Sequence, residues 1–137
     1  MKKIFILFLV IISVTACGNG FLEYTISGTG DGWEVEDIKM KIYRDGTVEF
    51  VEGEFIITEA FNSIELAIYQ FDGTETINID VGSISNVDGA EISKVFKGKS
   101  RSVDGLIFGG KIYAAVTYND KNQNNLINSF AVEVSEN

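Results

Sequence analysis

The residue types available for chemistry in this chain are few. The sequence of 137 residues contains no histidine and one cysteine, which excludes Ser-His-Asp and Cys-His catalytic arrangements and zinc sites built on imidazole. A glycosidase needs two carboxylates that converge in a cleft, and none of the 20 acidic residues has a neighbourhood that singles it out. The sequence therefore predicts no catalytic residue and no cofactor, and it indicates that the protein is not an enzyme.

An Asx-rich segment near the C-terminus has a pattern related to calcium ligands. The segment "YNDKNQNN" alternates oxygen-bearing side chains as the start of a calcium loop does, at Asp120, Asn122 and Asn124. Asn125 stands where that loop has glycine, Ala131 stands where it has glutamate, and Lys121 adds a positive charge. Such residues also favour plain turns, because their side chains bond to their own backbone. A weak calcium site and a simple hairpin connection both stay open here.

Four basic residues form a locally positive segment in an acidic chain. They occur within "KVFKGKSR" as Lys94, Lys97, Lys99 and Arg101. Clustered cations can dock an acidic partner or a membrane surface, and they can equally be the solvated side chains of a loop. The cluster is therefore a candidate partner-binding site.

The N-terminal segment has the pattern of a secretory signal peptide. Lys2 and Lys3 precede an apolar run over residues 4–12, and small residues follow in "VTAC" at 14–17. A charged start, a short apolar stretch and small residues before a cleavage point define such a signal. The run is too short for a membrane span, since a bilayer core of about 30 Å needs about 20 residues. We expect residues 1–16 to be removed.

The small pair Thr15-Ala16 followed by Cys17 resembles the lipobox of bacterial lipoproteins. The resemblance implies that the chain is cut before Cys17 and that the thiol carries a diacylglyceryl group. Two acyl chains give stable anchoring, so the implied location is the extracellular face of the cell membrane, or the outer membrane in a Gram-negative host. An unpaired thiol near a cleavage site is the alternative. As the only cysteine, Cys17 can form no intrachain disulfide.

The charge of the remaining chain restricts its partners. The whole sequence has a net charge of −9. Loss of residues 1–16 removes Lys2 and Lys3 but no acidic residue, which leaves nine basic and 20 acidic residues and a net charge of −11. Such a charge argues against nucleic acid, whose phosphates would be repelled, and it disfavours anionic headgroups. A basic envelope protein or a divalent cation is compatible with it.

Short runs of alternating apolar and polar residues, separated by Gly, Asp or Asn, predict strands joined by tight turns. The glycines of "SGTGDGWEV" could suggest a phosphate-binding loop, which requires a following helix. The residues after Trp33 alternate as a strand does. The glycines therefore predict a turn, and Trp33 is expected in the core at the start of the next strand. A change of phase at Glu36–Asp37 predicts a β-bulge.

Further turns and strands follow from the same patterns. "RDGT" at 44–47 predicts a hairpin with a type I′ turn, since Asp-Gly tolerates positive φ, and "DGTE" at 72–75 predicts a second turn. "TINIDVG" predicts a strand with Ile77, Ile79 and Val81 pointing inward. The last two strands, at 111–118 and 126–134, are expected to pair.

Seven or eight such strands, in the 121 residues from Cys17 onward, predict an all-β fold. An antiparallel β-sandwich fits this spacing, and a small barrel is the alternative. The domain is expected to span residues 21–137, after a tether at residues 17–20.

Three segments of the mature chain resemble a group of small uncharacterised lipoproteins of Gram-positive bacteria. These segments are "GDGWEVED", "LAIYQFDGTETIN" and "AAVTYNDKNQNNLINSFAVEV". Members of the group share a Gly-polar-Trp start, a central strand ending in Tyr-x-x-x-Gly, and a last hairpin. Here Tyr118 stands where tryptophan is usual, and Val132 and Val134 stand near the final leucine. The resemblance implies an immunoglobulin-like sandwich and no established activity.

Together these expectations favour a non-catalytic binding or accessory module, anchored at the bacterial cell surface, whose partners are the membrane and an envelope protein or ligand. The alternatives are a carboxylate-based or calcium-dependent envelope enzyme and a lipoprotein with a purely structural role. An exposed apolar patch on a sheet face or at a loop end would favour binding. A deep cleft with converging acids would favour catalysis.

Overall fold

Ten β-strands form the fold in a computed structural model, which describes the backbone at residues 7–9, 20–120 and 127–134 and the side chains of residues 20–119. The strands are β1 (Leu7–Leu9), β2 (Phe21–Gly30), β3 (Trp33–Tyr43), β4 (Thr47–Ile57), β5 (Phe61–Phe71), β6 (Thr76–Asn86), β7 (Ile92–Val95), β8 (Lys99–Ser102), β9 (Ile112–Asp120) and β10 (Ile127–Val134). Within these ranges there is no helix that is long and apolar enough to cross a membrane.

The strands build two antiparallel sheets that pack face to face. In the first sheet the order is β1-β2-β3-β4, with β7 and β8 end to end along the other side of β4. In the second sheet the order is β10-β9-β5-β6. Since β7 and β8 share one edge, the described strands β2 to β10 occupy eight positions. The predicted antiparallel β-sandwich is confirmed.

Strand β1 lies within the predicted signal peptide. Its three residues pair with residues 27–29 at the edge of β2. Cleavage before Cys17 would remove β1 and leave β2 as the edge strand of the first sheet.

The core lies between the two sheets and follows the predicted alternation, because successive side chains of a strand point to opposite faces. Trp33 is 2% exposed and packs edge-on against Phe55, with 6.3 Å between the ring centroids. Full burial of one large apolar side chain contributes about 1.5–3 kcal/mol. The residues buried at alternate positions of β2, β3 and β5, together with Ile79 of β6, are Leu22, Tyr24, Ile26, Trp33, Val35, Ile38, Met40, Ile42, Ile64, Leu66, Ile68 and Ile79.

The glycine-rich segment is a turn between β2 and β3, as predicted. Gly32 has a φ of 88°, in the left-handed region that favours glycine, and its carbonyl accepts a hydrogen bond from the Thr58 N–H (2.9 Å). Gly30 leaves room for the indole of Trp33, because a Cβ at Gly30 would overlap that ring. Strand β3 follows directly, so the turn leads into no helix N-terminus of the kind that binds phosphate.

The predicted β-bulge in β3 is confirmed. The pairing of β3 with β4 shifts register between Glu36 and Lys39, and Asp37 has a φ of 40°. On the neighbouring strand Gly53 has a φ of 121°, and a Cβ there would overlap the backbone of Ile38. The bulge therefore requires glycine opposite it, and β4 continues through Gly53 as one strand.

The hairpin at 44–47 is present, but its predicted type I′ turn is wrong. Type I′ needs positive φ at both central residues, whereas Gly46 has a φ of 88° and Asp45 does not have a positive φ. The Gly46 N–H donates to the Tyr43 carbonyl (3.1 Å). Asp45 Oδ1 accepts a hydrogen bond from the Thr47 N–H (2.9 Å). The Asp45 side chain thus stabilises a three-residue loop in which Gly46 takes the left-handed conformation.

The prediction that Val81 points inward is also wrong, since its side chain is 45% exposed. The pairing of β6 with β5 shifts register next to Ile68, which lies opposite Asp80. Ile79 is the extra residue in β6, and it reverses the phase of the strand beyond it. Asp80 therefore points toward the edge of the first sheet, and Val81 points to the outer face.

Candidate functional site

The connections of the sandwich lie at its two ends, except that residues 96–98, between β7 and β8, lie along the middle of β4. The proximal end holds the start of β2, at residues 20–21. It also holds three connections, at residues 44–46, 72–75 and 103–111. The distal end holds the connections at residues 31–32, 58–60 and 87–91. The two sets are opposite because each strand runs antiparallel to its neighbours.

Hydrogen bonds between backbone groups hold the proximal segments together. The Arg44 N–H donates to the Gly20 carbonyl (3.2 Å), and the Val103 N–H donates to the Gly46 carbonyl (3.0 Å). The Arg44 guanidinium covers the ring of Phe108, with 4.4 Å between Cζ and the ring centroid. The chain that enters β2 therefore lies at the same end as the loop before β9.

A buried glutamine fixes that loop. Gln70, near the end of β5, is 2% exposed. Its Nε2 donates to the Ile107 carbonyl (2.8 Å), and its Oε1 accepts from the Ile107 N–H (2.7 Å). The Gly110 N–H donates to the same carbonyl (3.1 Å), and a Cβ at Gly110 would overlap the Gln70 amide. The polar atoms of this buried side chain are thereby satisfied, as buried amides require.

The loop holds Ile107 away from the core, in a cleft lined also by the exposed Phe71 and the half-buried Tyr113. Ile107 is 53% exposed and Phe71 is 39% exposed. Phe71 packs edge-on against Tyr113 (6.5 Å between centroids), and Tyr113 stacks on Tyr69 (5.6 Å). Phe71, Ile107 and Tyr113 together form the apolar tip. A cleft of about 390 Å³ opens at the apolar tip, and its lining also includes Asp72, Gly73, Gly110 and Lys111.

The turn beside the apolar tip is held by its own aspartate. Asp72 Oδ1 accepts hydrogen bonds from the N–H groups of Glu75 (2.7 Å) and Thr74 (2.8 Å) and from the Thr74 hydroxyl (2.9 Å). These donors, the Glu75 N–H first, lower the pKa of the Asp72 carboxyl below its ordinary value of 3.8. The charged carboxylate thus stabilises the turn that follows Phe71.

Two of the four predicted basic residues bind one aspartate of this chain. Lys94 Nζ lies 2.9 Å from Asp80 Oδ2, and Arg101 Nη1 lies 3.3 Å from Asp80 Oδ1. Arg101 also donates to the Ile79 carbonyl (2.8 Å). The contacts join β7 and β8 of the first sheet to β6 of the second, and they close one side of the sandwich. Docking of a partner by this cluster stays a prediction.

The other two basic residues also face groups of this chain. Lys99 Nζ lies over the ring of Phe96, 5.8 Å from its centroid. Lys97 lines an acidic groove together with Glu36, Asp37, Glu52 and Glu54. In the part of the chain that the structure describes, no group of three or more His, Cys, Asp or Glu residues is arranged to hold a metal ion.

Two predicted sites fall outside the described side chains. Cys17, Asn122 and Asn124 lie outside the described residues, and Asp120 is described only as the last backbone position of β9. Lipid attachment at Cys17 and calcium binding at the Asx-rich segment therefore stay predictions.

Comparison of the chain with protein-family models, with curated proteins and with solved structures finds no match. Because no match is found, the resemblance to a lipobox and the resemblance to a group of small lipoproteins stay predictions. The candidate functional site therefore rests on geometry alone, and it is the apolar tip.

The apolar tip brings together residues that the sequence pattern treats separately. The alternation in β5 predicts that Phe71 lies on the face opposite Ile64, Leu66 and Ile68, so part of the signal is local. Ile107 lies in an irregular segment without a period. Its exposure follows from the bond with Gln70, which is 37 residues away in the chain and leaves no local signal.

Proposed function

We propose that the protein is a lipid-anchored, non-catalytic binding module on the extracellular face of a bacterial cell membrane. Its lipid is attached at Cys17 after removal of residues 1–16, and its binding surface is the apolar tip. One observation carries the proposal: the apolar tip lies at the proximal end, where the chain from Cys17 enters β2.

The exposure of the apolar tip favours a binding role over a purely structural one. Single exposed apolar residues are common on folded proteins. Phe71 and Ile107, however, line the same cleft, and the buried Gln70 fixes the loop that holds Ile107 there. Aromatic residues held in this way contribute strongly to binding interfaces, and an exposed apolar patch at a loop end is a feature of interaction sites.

The polar groups near the apolar tip favour binding over catalysis. Carboxylate-based hydrolysis needs two carboxylates that flank the scissile bond. The lining of the cleft includes one carboxylate, Asp72, and that carboxylate bonds to the backbone of its own turn.

The binding role is tested by photo-crosslinking in cells that express the full chain. A photoreactive side chain is introduced at Phe71 and, as a control, at Val87, which is 47% exposed at the distal end. We expect an adduct with lipid or protein from position 71 and much less from position 87. Equal labelling from both positions would contradict a binding role for the apolar tip.

The anchor is tested separately by Cys17→Ser. Because two acyl chains hold a protein stably on a membrane, the variant should be released from the membrane fraction or remain unprocessed. Ser13→Ala, in the same segment, keeps the cysteine and serves as the control. A Cys17→Ser protein that stays in the membrane with unchanged processing would show that the proposed anchor is wrong.

A further inference from the structure

We infer that the apolar tip binds the lipid bilayer that holds its own anchor, with the side chains of Phe71 and Ile107 inserted among the headgroups. The inference rests on the proposed function and names the partner of the same surface. It also defines an orientation, in which the proximal end faces the lipid and the distal end faces away from it.

The tether is too short to let the domain turn over. Residues 18–20 separate Cys17 from Phe21, and an extended chain gains at most about 3.6 Å per residue, so Phe21 stays within about 15 Å of the lipidated Cys17. The bond between the Gly20 carbonyl and the Arg44 N–H shortens the free part further. Strand β2 has ten residues, which places the distal end about 30 Å beyond the proximal end. Among the side chains of residues 20–119, the exposed apolar groups of the apolar tip are therefore the nearest to the lipid.

The side chains of the proximal end match the layers of a lipid interface. Phe71 and Ile107 supply exposed apolar groups. Tyr113 contacts Phe71 and is an amphipathic ring of the type enriched at the level of the headgroups. Lys111 in the cleft lining and Arg44 in the neighbouring turn have long side chains. Such side chains can keep their charge in water while their stems lie along apolar groups.

Net charge does not drive this contact. The chain from Cys17 onward has a net charge of −11, which anionic lipid repels. The carboxylates of Asp45 and Asp72, in the proximal turns, are bonded to N–H groups of those turns. The anchor instead keeps the apolar tip at a high effective concentration at the surface, so that a weak apolar contact is sufficient. The contact should therefore be at least as strong on zwitterionic phosphatidylcholine as on anionic lipid.

Quenching by brominated lipid measures this contact. The full chain, made with its lipid at Cys17, is placed in phosphatidylcholine vesicles whose acyl chains carry bromine. Phe71→Trp and Ile107→Trp each place an indole at the apolar tip, and Val87→Trp places one on the exposed distal end. The native Trp33 is buried at the start of β3, next to the distal turn, and supplies a constant background.

We expect bromine to lower the emission of both tip variants and to leave Val87→Trp and the parent protein unchanged. Two tip positions are used because one of the two variants can fail to fold. The unmodified protein gives an independent measurement, in which a phosphatidylcholine spin-labelled on its acyl chain should broaden the methyl signals of Ile107 more than those of Val87. Equal emission in brominated and plain vesicles, or equal broadening at the two residues, would overturn the inference.

The outcome also separates this inference from the proposed function. If lipid neither quenches nor broadens at the apolar tip, but a photoreactive side chain at position 71 labels a protein in cells, then the binding module stands and its partner is a protein. If position 71 labels neither lipid nor protein, the inference and the proposed function both fail.

Discussion

Gln70 and Ile107 are joined by two hydrogen bonds of opposite direction, from Gln70 Nε2 to the Ile107 carbonyl (2.8 Å) and from the Ile107 N–H to Gln70 Oε1 (2.7 Å). The side-chain amide offers the loop residue the same donor and acceptor that a neighbouring strand would offer. Because Gln70 is buried at the end of the core, it fixes the loop that displays the apolar tip.

Gln70→Ala should loosen this loop and destabilise the domain. The substitution removes the acceptor of the Ile107 N–H and one of the two donors to the Ile107 carbonyl, which keeps its bond from the Gly110 N–H. Loss of a buried hydrogen-bonding partner costs about 1–3 kcal/mol. Urea unfolding should report this decrease in the free energy of unfolding, and exchange of the Ile107 amide hydrogen should become faster. Asn78→Ala, at an exposed position of β6, is the control and should change stability by less than about 0.5 kcal/mol. Equal effects of the two substitutions would contradict this account of Gln70.

Gly53→Ala should be much more destabilising than Gly98→Ala. Both glycines have positive φ, 121° and 78°, so each substitution strains the backbone by about 1–3 kcal/mol. A Cβ at Gly98 has nothing within 4 Å, whereas a Cβ at Gly53 would overlap the backbone of Ile38. The difference between the two free energies of unfolding therefore measures the close approach at the β3 bulge. Similar values for both variants would show that strands β3 and β4 separate there without cost.

Asp80→Asn should destabilise the domain more than Glu52→Gln does. Asp80 and Lys94 expose 16% and 22% of their side chains, whereas Glu52 and Lys39 expose 51% and 40%. An exposed ion pair contributes about 0–1 kcal/mol, and leaving a partly buried charge without its partner costs about 1–3 kcal/mol. Urea unfolding of both variants checks the order. A larger loss for Glu52→Gln would contradict a role for Asp80 in joining the sheets.

Acidification should loosen the 72–75 turn only at low pH. The backbone N–H groups of Glu75 and Thr74 lower the folded-state pKa of Asp72 below 3.8, whereas an unfolded aspartate has a pKa of about 3.9. Because the folded value is the lower one, the stabilisation is complete above the unfolded pKa and is lost as the pH falls through the folded pKa. In an NMR titration, the amide signals of Thr74 and Glu75 should keep their pH 7 positions until the pH falls through the folded-state pKa of Asp72. Asp72→Asn should abolish this change of the amide signals. Titration of Asp72 above its ordinary pKa would contradict the prediction.

Removal of residues 1–16 should leave the domain folded. Strand β1 pairs through three residues, and each backbone hydrogen bond contributes about 0.5–1.5 kcal/mol, so the loss should be a few kcal/mol at most. Cooperative unfolding, followed by the emission of the buried Trp33, checks this outcome. A shortened chain that fails to fold would show that β1 is a structural strand of the domain, which would contradict the predicted signal peptide.

Much of the sandwich could be predicted because its signals are local. The alternation in β2, β3 and β5 identifies the buried faces, and Gly30 and Gly32 mark the turn before Trp33. The bulge in β3 is visible as a change of phase at Glu36–Asp37. Each of these features depends on residues within a few positions of one another, where side-chain direction follows from the geometry of a strand.

The error in the turn type at 44–47 is local, since the Asp45 side chain bonds to the Thr47 N–H. The other errors and omissions come from contacts between distant parts of the chain. Val81 is exposed because β6 changes phase at Ile79, and that change brings Asp80 to Lys94 and Arg101. In the same way, the sequence does not show that Asp80 of β6 lies beside Lys94 and Arg101 of the basic cluster. The apolar tip depends on Gln70, whose role as a loop partner has no periodic signal. Pairings of this kind are set by how the sheets face each other.

The bond from Arg101 to the Ile79 carbonyl (2.8 Å) affects whether neighbouring copies on one membrane can pair through their sheet edges. Strand β6 is an edge of the second sheet, and an open edge can pair with a strand of another molecule. In the proposed orientation all copies would diffuse in one plane at the same height, so that their edges would meet side by side. Arg101 covers one edge carbonyl with a cation, and the Lys94 ammonium lies beside the same strand, where a Cβ at Gly82 would be. Charge at this edge would keep neighbouring copies from joining into a continuous sheet.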